Sequence, residues 1–265
     1  MSRLKDKVVI VTGSSSGFGR GIAKEFAAEG AKVVVSDIKE SPSSGGFEDD
    51  ADLTTVETIT KTGGEATFIH CDVTQSEQVA NLISETVATY GRLDVLVNNA
   101  GVYRGGKLLH EFTEQDLDIC YQINVKGSFF ASQEAVKQFL AQGEGGNIIN
   151  LVSTAGLQGH PNQSVYNISK GAAANLTQVL AIEYGKDQIR VNGICPTYAK
   201  TALTRELFDD EDFETTFTES IPLKRWGEVE DVTNLAVFLA SDESSYIHGD
   251  LIKVDGGETL SRYSV

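Results

Sequence analysis

Short apolar runs alternate with longer amphipathic stretches along all 265 residues, and that rhythm admits few folds. Residues 7–12, 32–36, 67–70, 93–97, 147–152, 190–194 and 251–254 are short, rich in Val and Ile, and read as strands. Residues 18–29, 52–62, 77–90, 114–142, 165–184 and 229–240 carry helical apolar spacing and lie between them. Strands that are apolar throughout need cover on both faces, which alternating βα units supply as a parallel, doubly wound α/β sheet. Right-handed crossovers then restrict the topology. No internal repeat and no linker marks a second domain, so a single domain over 1–265 is expected.

Charge narrows the function classes. Thirty-eight acidic against 22 basic side chains give a net charge of −16 and a pI near 4.6. Phosphate recognition needs Lys and Arg to release counterions, so nucleic-acid and anionic membrane partners are disfavoured. Steering favours neutral or cationic small molecules. The three cysteines, Cys71, Cys120 and Cys195, share no metal-ligand spacing and read as reduced core thiols. No metal is expected. The chain enters its first strand without a signal-like apolar run, and no ~18-residue apolar stretch follows, so a cytoplasmic protein is expected.

Two segments break the rhythm. Residues 40–50 (ESPSSGGFEDD) are rich in Ser, Gly and acid, and read as a solvated surface loop with little functional weight. Residues 205–219 (RELFDDEDFETTFTE) are acidic but carry Leu207, Phe208, Phe213 and Phe217. Within a lid of about 200–225, that composition fits either a mobile amphipathic cover or a helical hairpin with a solvated face.

The first strand runs into Thr12-Gly13-Ser14-Ser15-Ser16-Gly17-Phe18-Gly19 and then a helical pattern. Such glycines allow a tight turn and close backbone approach to a pyrophosphate, and the helix start offers free N–H groups and a positive dipole end. The spacing departs from G-x-G-x-x-G, and many parallel sheets use a glycine turn for geometry alone. Asp37, about twenty residues on at the end of the second strand, can accept from ribose hydroxyls, which favours NAD over NADP. Ser16 and Ile38 offer a 2′-phosphate no basic partner; Lys39 is the exception. Asp72, after the third strand, can accept from an adenine amine or cap its turn.

Tyr166 and Lys170 stand four apart at the start of a long helical pattern, so they share a face. A phenol titrates too high to serve as a base at neutral pH unless a nearby ammonium stabilises its anion. Ser153, at the carboxyl edge of the sheet, can hold a substrate oxygen beside that phenol. Tyr-x-x-x-Lys alone is weak. Tyr103 to Lys107 repeats it with Gly105 and Gly106 between, which disfavour a helix.

Taken with Asn98-Asn99-Ala100-Gly101, Gln122-Ile123-Asn124-Val125, Asn192 to Pro196 and Asp255-Gly256-Gly257, these motifs resemble the short-chain dehydrogenase/reductase family over nearly the whole chain. The resemblance implies a Rossmann-type fold with a seven-stranded sheet and a catalytic tetrad of Asn124, Ser153, Tyr166 and Lys170. Tyr166 would be the acid or base and Ser153 would position the substrate oxygen. Lys170 would lower the phenol pKa and hold the nicotinamide ribose; Asn124 would kink its helix and hold a relay water. Cofactor contacts would come from Gly13, Ser15, Ser16, Gly17, Phe18, Gly19, Asp37, Ile38, Asp72, Val73, Asn99, Ala100, Gly101, Tyr166, Lys170, Pro196, Thr197 and Thr201. The usual Pro-Gly after the sixth strand is Pro196-Thr197 here, which puts the backbone path beside the nicotinamide in question.

On this basis the expected activity is NAD(H)-dependent interconversion of a secondary alcohol (cyclic, aryl, diol or polyol) and its ketone. Substrate contacts are expected from residues 154–163, from Val102, Tyr103 and Tyr198, and from 203–208, with Gln158, His160 and Gln163 read as surface residues. His70, His110 and His248 read as structural. A 3-oxoacyl thioester reductase is the nearer alternative and a non-catalytic nucleotide sensor the farther one. The resemblance also implies a homotetramer, with contacts along the helices at 114–142 and 165–184 and the last strand.

Overall fold

Burial in the computed structural model, which describes residues 2–260, follows the strand pattern along the central strands. Val9, Val11, Val33, Val35, Val95, Val97 and Ile149 face one core, while Ile10, Val34, Leu96 and Ile148 face the other. This is the period of two, applied to strands covered on both sides.

The strands are β1 (Val8–Thr12), β2 (Lys32–Asp37), β3 (Glu65–His70), β4 (Val95–Asn98), β5 (Gly146–Leu151), β6 (Ile189–Pro196) and β7 (Leu251–Val254). They form one seven-stranded sheet in the order β3-β2-β1-β4-β5-β6-β7, parallel throughout, with Val9 paired to Val33 and to Val95. The strand order reverses between β1 and β4, and an open α/β sheet places its ligand crevice outside the carboxyl ends at such a point.

Helices α1 (Gly17–Ala28), α2 (Thr55–Lys61) and α9 (Val229–Ala240) contribute Ile22, Phe26, Ile59, Val232 and Val237 to the first core. Helices α3 (Ser76–Tyr90), α5 (Ser128–Gln142) and α6 (Ser164–Tyr184) contribute Val79, Leu82, Phe139 and Leu180 to the second. A Phe or Leu buried to this degree stabilises the fold by roughly 1.5–3 kcal/mol before entropy is counted. All three cysteines are unpaired and buried, as expected, and burial pushes the Cys71 and Cys195 thiols up to about 11.

The structure differs from the sequence reading at two helices. The helix expected over 114–142 is two helices, α4 (Glu114–Cys120) and α5, joined by a wide π turn over Tyr121–Gly127. Helix α2 starts later than expected, because Thr54 accepts from the Glu57 N–H while Glu57 accepts from the Thr54 N–H, fixing the first turn there. The acidic segment folds as the short pair α7 (Arg205–Phe208) and α8 (Glu211–Ser220). Phe213 and Phe217 pack edge-on to Tyr198, with centroids 5.7 and 5.0 Å away, and Phe208 and Phe217 lie 5.3 and 5.1 Å from the Trp226 ring. No helix among the described residues is long and apolar enough to cross a membrane, and no group of three or more His, Cys, Asp or Glu among them could hold a metal ion.

Candidate active site

At the carboxyl edge of the sheet lies a cavity of about 570 Å³, lined at one end by Asp37, Ile38, Asp72 and Val73, along its floor by Gly13, Ser16, Gly17, Phe18, Asn99, Ala100 and Gly101, and at the other end by Ser153, Tyr166, Lys170, Pro196, Thr197 and Thr201. Most of the expected site residues therefore meet in one crevice. Three do not contribute to its wall. The Ser15 hydroxyl is turned away to donate to the Lys39 carbonyl at 2.6 Å, Gly19 is packed against the Gly13 carbonyl, and Asn124 is buried behind the wall.

The glycine-rich turn owes its shape to residues on both sides. Gly13 has φ +64°, and a Cβ there would come within 2.7 Å of the Ala100 Cα. Asn99 secures this approach from the β4 side: its Nδ2 donates to the carbonyls of Thr12 and Gly13, while the N–H groups of Asn99 and Ala100 donate to Thr12 Oγ. Asn99 thus holds the turn as well as lining the cavity. Ser16 is the residue preceding α1, yet its side chain makes no cap bond to that helix; its Oγ accepts from the Ser43 N–H. The Gly17 N–H donates to Glu48 Oε1 at 2.7 Å. An anionic group already occupies the helix start, where a phosphate is best stabilised.

At the adenosine end, Asp37 accepts from the Ser15 and Ile38 N–H groups, one on each oxygen, which fixes its carboxylate at the cavity wall. Asp72 Oδ1 caps its own turn through the Thr74 N–H and hydroxyl, and its side chain still reaches the cavity.

At the other end, α6 delivers Tyr166 and Lys170 from successive turns, with Lys170 Nζ 5.7 Å from the Tyr166 ring centroid. Burial pushes the Tyr166 phenol up, against the pull of the Ser153 hydroxyl, and not down as its pairing with Lys170 predicts. Burial also lowers the Lys170 ammonium to about 8, so it is still charged at neutral pH. Lys170 Nζ donates to the Leu151 carbonyl at 2.8 Å. Ser153 Oγ accepts from the Ala155 N–H and lies 3.4 Å from the Pro196 carbonyl. Asn124 sits inside the π turn, the kink that the resemblance implied. Its Nδ2 donates to Ser169 Oγ and the Val102 carbonyl, and its Oδ1 accepts from the Val102 N–H. The π turn gives Asn124 contacts to the β4 exit and to α6 at once. The Pro196-Thr197 departure leaves the sheet intact: β6 pairs with β7 through Pro196, and the Thr197 N–H donates to the Val254 carbonyl.

The surrounding walls hold Val102, Tyr103, Thr154, Tyr198 and Leu203, as expected, but also Gln163 and His160, which sequence reasoning placed on the surface. Gln163 is 3% exposed and accepts from the Tyr198 hydroxyl. His160 Nδ1 lies 3.9 Å from Glu258 Oε1. Both residues sit in a polar loop whose local sequence gives no sign that it folds over the sheet edge; Gln158 in the same loop is exposed. Tyr103, from the glycine-interrupted copy of the motif, stands edge-on to Tyr166 at 5.2 Å, while its partner Lys107 pairs with Asp116. His248 is structural, as expected: Nδ1 accepts from the Val191 N–H and Nε2 meets the Ala181 carbonyl.

Comparison with known proteins identifies the family. A family model described as enoyl-(acyl carrier protein) reductase matches residues 13–259. An uncharacterized oxidoreductase of Thermotoga maritima is 40% identical over 96% of this chain and 97% of its own. A crystal structure of a short-chain type dehydrogenase/reductase from Mycobacterium marinum superposes with a TM-score of 0.88 at 34% identity, covering 97% of this chain and 96% of that one. A putative NAD(P) dependent gluconate 5-dehydrogenase from Beutenbergia cavernae with bound NADP gives a TM-score of 0.88 at 34% identity, covering 97% and 98%. This chain belongs to the short-chain dehydrogenase/reductase family of oxidoreductases, proteins that bind a nicotinamide cofactor and act on small molecules.

Proposed function

We propose that the protein is an NAD(H)-dependent oxidoreductase that interconverts a secondary alcohol and its ketone. The observation that carries this reading is one crevice with a fixed carboxylate, Asp37, at one end and Ser153, Tyr166 and Lys170 at the other. A dinucleotide fits the residues present, since the turn between β1 and α1 brings backbone to the cavity floor and its helix-start N–H already holds a carboxylate. When bound, the nicotinamide supplies or accepts the hydride. Tyr166 donates the proton to the carbonyl oxygen in reduction and removes it from the alcohol in oxidation. Its raised phenol pKa keeps that proton in place at neutral pH until the substrate oxygen takes up negative charge. Ser153 orients that oxygen. Lys170, charged at neutral pH, stabilises the phenolate that remains, and Asn124 holds the α6 start against the β4 exit, where a relay water can reach Lys170.

Asp37 supports NAD over NADP, because a 2′-phosphate would face a carboxylate that its two N–H partners hold in place. The NADP in the Beutenbergia neighbour belongs to that protein. The exposed carboxylates of α7, α8 and the link between them, Glu206, Asp209, Asp210 and Glu211, disfavour an acidic acyl carrier and so the thioester alternative. Exposed apolar residues on α5 and α6, Phe129, Leu140, Ile168 and Ile182, support subunit contacts along those helices and hence a homotetramer.

Absorbance at 340 nm with NAD⁺ or NADP⁺ against cyclic, aryl, diol and polyol alcohols tests the reading. Turnover with NAD⁺ and little with NADP⁺ is expected. Asp37→Ser should then shift the kcat/KM ratio toward NADP⁺ by at least about tenfold, the scale of one removed charge repulsion. Equal turnover with both cofactors in the wild type would overturn the NAD assignment.

A further inference from the structure

We propose that Glu48 is an internal competitor of the dinucleotide, a carboxylate that residues 43–48 hold on the helix-start N–H that a pyrophosphate would otherwise take. The inference rests on the dinucleotide reading of the crevice and adds to it a residue that sets cofactor affinity.

The segment that sequence reasoning treats as a solvated loop is tied down at Ser43, at 45–48 and at Asp50. The Ser43 N–H donates to Ser16 Oγ at 2.6 Å, directly beside the start of α1. The Arg205 guanidinium, from α7, donates to the carbonyls of Gly45 and Gly46, both at 2.8 Å, and its Cζ stands 3.5 Å from the centroid of the Phe47 ring. Phe47 in turn packs edge-on to Phe208, 5.2 Å away. Beyond Glu48 the chain is anchored by Asp50, which pairs with Arg20 at 3.0 Å and Lys24 at 2.9 Å. Between these anchors Glu48 Oε1 accepts from the Gly17 N–H at 2.7 Å.

The contact is built to be exchanged. Oε2 of the same carboxylate is buried and has no hydrogen-bond partner, so Glu48 satisfies the Gly17 donor at the cost of stranding one of its own acceptors. A ligand phosphate offers the same donor a fuller anion, and expelling Glu48 returns both carboxylate oxygens to water. Because only the expelled form accepts a dinucleotide, the measured affinity is the intrinsic affinity reduced by the fraction of molecules in that form. Arg205 and Phe47 extend the effect to α7, next to Leu203 and Thr204 in the cavity wall, so displacing Glu48 also loosens one side of the substrate pocket.

Titration of NADH into the full-length protein, read by nicotinamide fluorescence without any substrate, tests the proposal on wild type, Glu48→Ala and Arg205→Ala. The first variant removes the carboxylate; the second removes the clamp on residues 45–47 and leaves Glu48 itself unchanged, so a folding defect at one position does not decide the result. Both are expected to lower the Kd for NADH, Glu48→Ala by about tenfold, the scale of one charge-assisted hydrogen bond released before binding. NADH binding in which both variants match the wild type, or in which Glu48→Ala binds more weakly, would overturn the proposal while leaving the dinucleotide reading intact. Failure of all three proteins to bind either NADH or NADPH would remove the dinucleotide reading, and the role of Glu48 with it.

Discussion

Lys170 Nζ donates to the Leu151 carbonyl at 2.8 Å, which ties the second turn of α6 to the last residue of β5. The bond aims a buried ammonium across the sheet's carboxyl edge and sets it one helical turn from Tyr166. It supplies one acceptor, which is less than an ammonium finds in water, and this is why burial lowers the Lys170 pKa to about 8.

That shift has a sign that stability measurements can read. Between about pH 8 and the ordinary lysine value of 10.5, the unfolded chain binds the Lys170 proton more fully than the folded one, so stability rises with pH. Below pH 8 the fold carries the whole penalty, on the order of 3 kcal/mol. Tyr166 acts in the opposite sense only above its ordinary value of 10, because its raised pKa keeps the folded state protonated there. The Cys71 and Cys195 thiols, raised by burial from 9 to about 11, act in that opposite sense from about pH 9, so Lys170 is isolated by difference against a Lys170 variant over the window from pH 8 to 10. Urea midpoints of the wild type should rise across it relative to Lys170→Met, and parallel curves for the two proteins would refute the assignment.

Tyr166→Phe removes one hydroxyl and keeps the ring that packs edge-on to Tyr103 at 5.2 Å. Turnover should fall by at least about 10²-fold, the lower end of what a positioned acid or base contributes. NADH affinity should stay within about twofold and the thermal midpoint should be unchanged. Turnover at the wild-type rate would exclude Tyr166 as the proton donor.

The central strands were legible because they are runs rich in Val, Ile and Leu buried on both faces, a pattern that survives without knowledge of the partners. Tyr166, Lys170 and Asp37 were legible because each stands at a set distance from a strand or helix start. The π turn at Tyr121–Gly127 was implied only by the resemblance at Asn124, since the apolar spacing carries on through it and only the backbone bonding changes. His160 and Gln163 were missed because burial of a polar loop depends on which walls it meets, here Glu258 and Tyr198. Glu48 was missed for a stronger reason. Its placement depends on Arg205, 160 residues from Gly45, and no local pattern encodes a bond of that span.

Arg20 is 1% exposed and binds Asp50, Thr55 and Thr58, which ties α1 to α2 and to the end of the segment that carries Glu48. Burial alone would raise the Asp50 pKa, but Lys24 and Arg20 together hold it down to about 2. The Asp50 contribution, about 2 kcal/mol, is present above its ordinary 3.8 and is lost as pH falls through about 2. Arg20→Met should cost about 3 kcal/mol at pH 7, because it leaves a partly buried carboxylate with one partner fewer. Asp50→Asn should cost less at pH 2 than at pH 7. Urea denaturation at the two pH values measures both, and a cost for Asp50→Asn that does not change with pH would show that the ion pair contributes nothing.

Trp226 is 2% exposed, with the rings of Phe217, Phe208 and Tyr198 at 5.1, 5.3 and 6.0 Å. It is the fixed surface on which α7 and α8 rest and the backing of Tyr198, whose hydroxyl donates to Gln163 in the cavity wall. Trp226→Ala should lower stability by about 3–5 kcal/mol through the cavity it opens. Because Tyr198 would lose its support while Tyr166 and Lys170 stay on α6, KM for the alcohol should rise more than kcat falls. The indole Nε1–H has no partner, so Trp226→Phe sacrifices no hydrogen bond and should recover most of both losses. A Trp226→Ala enzyme with an unchanged KM would mean that the aromatic cluster supports only the fold and leaves the pocket wall untouched.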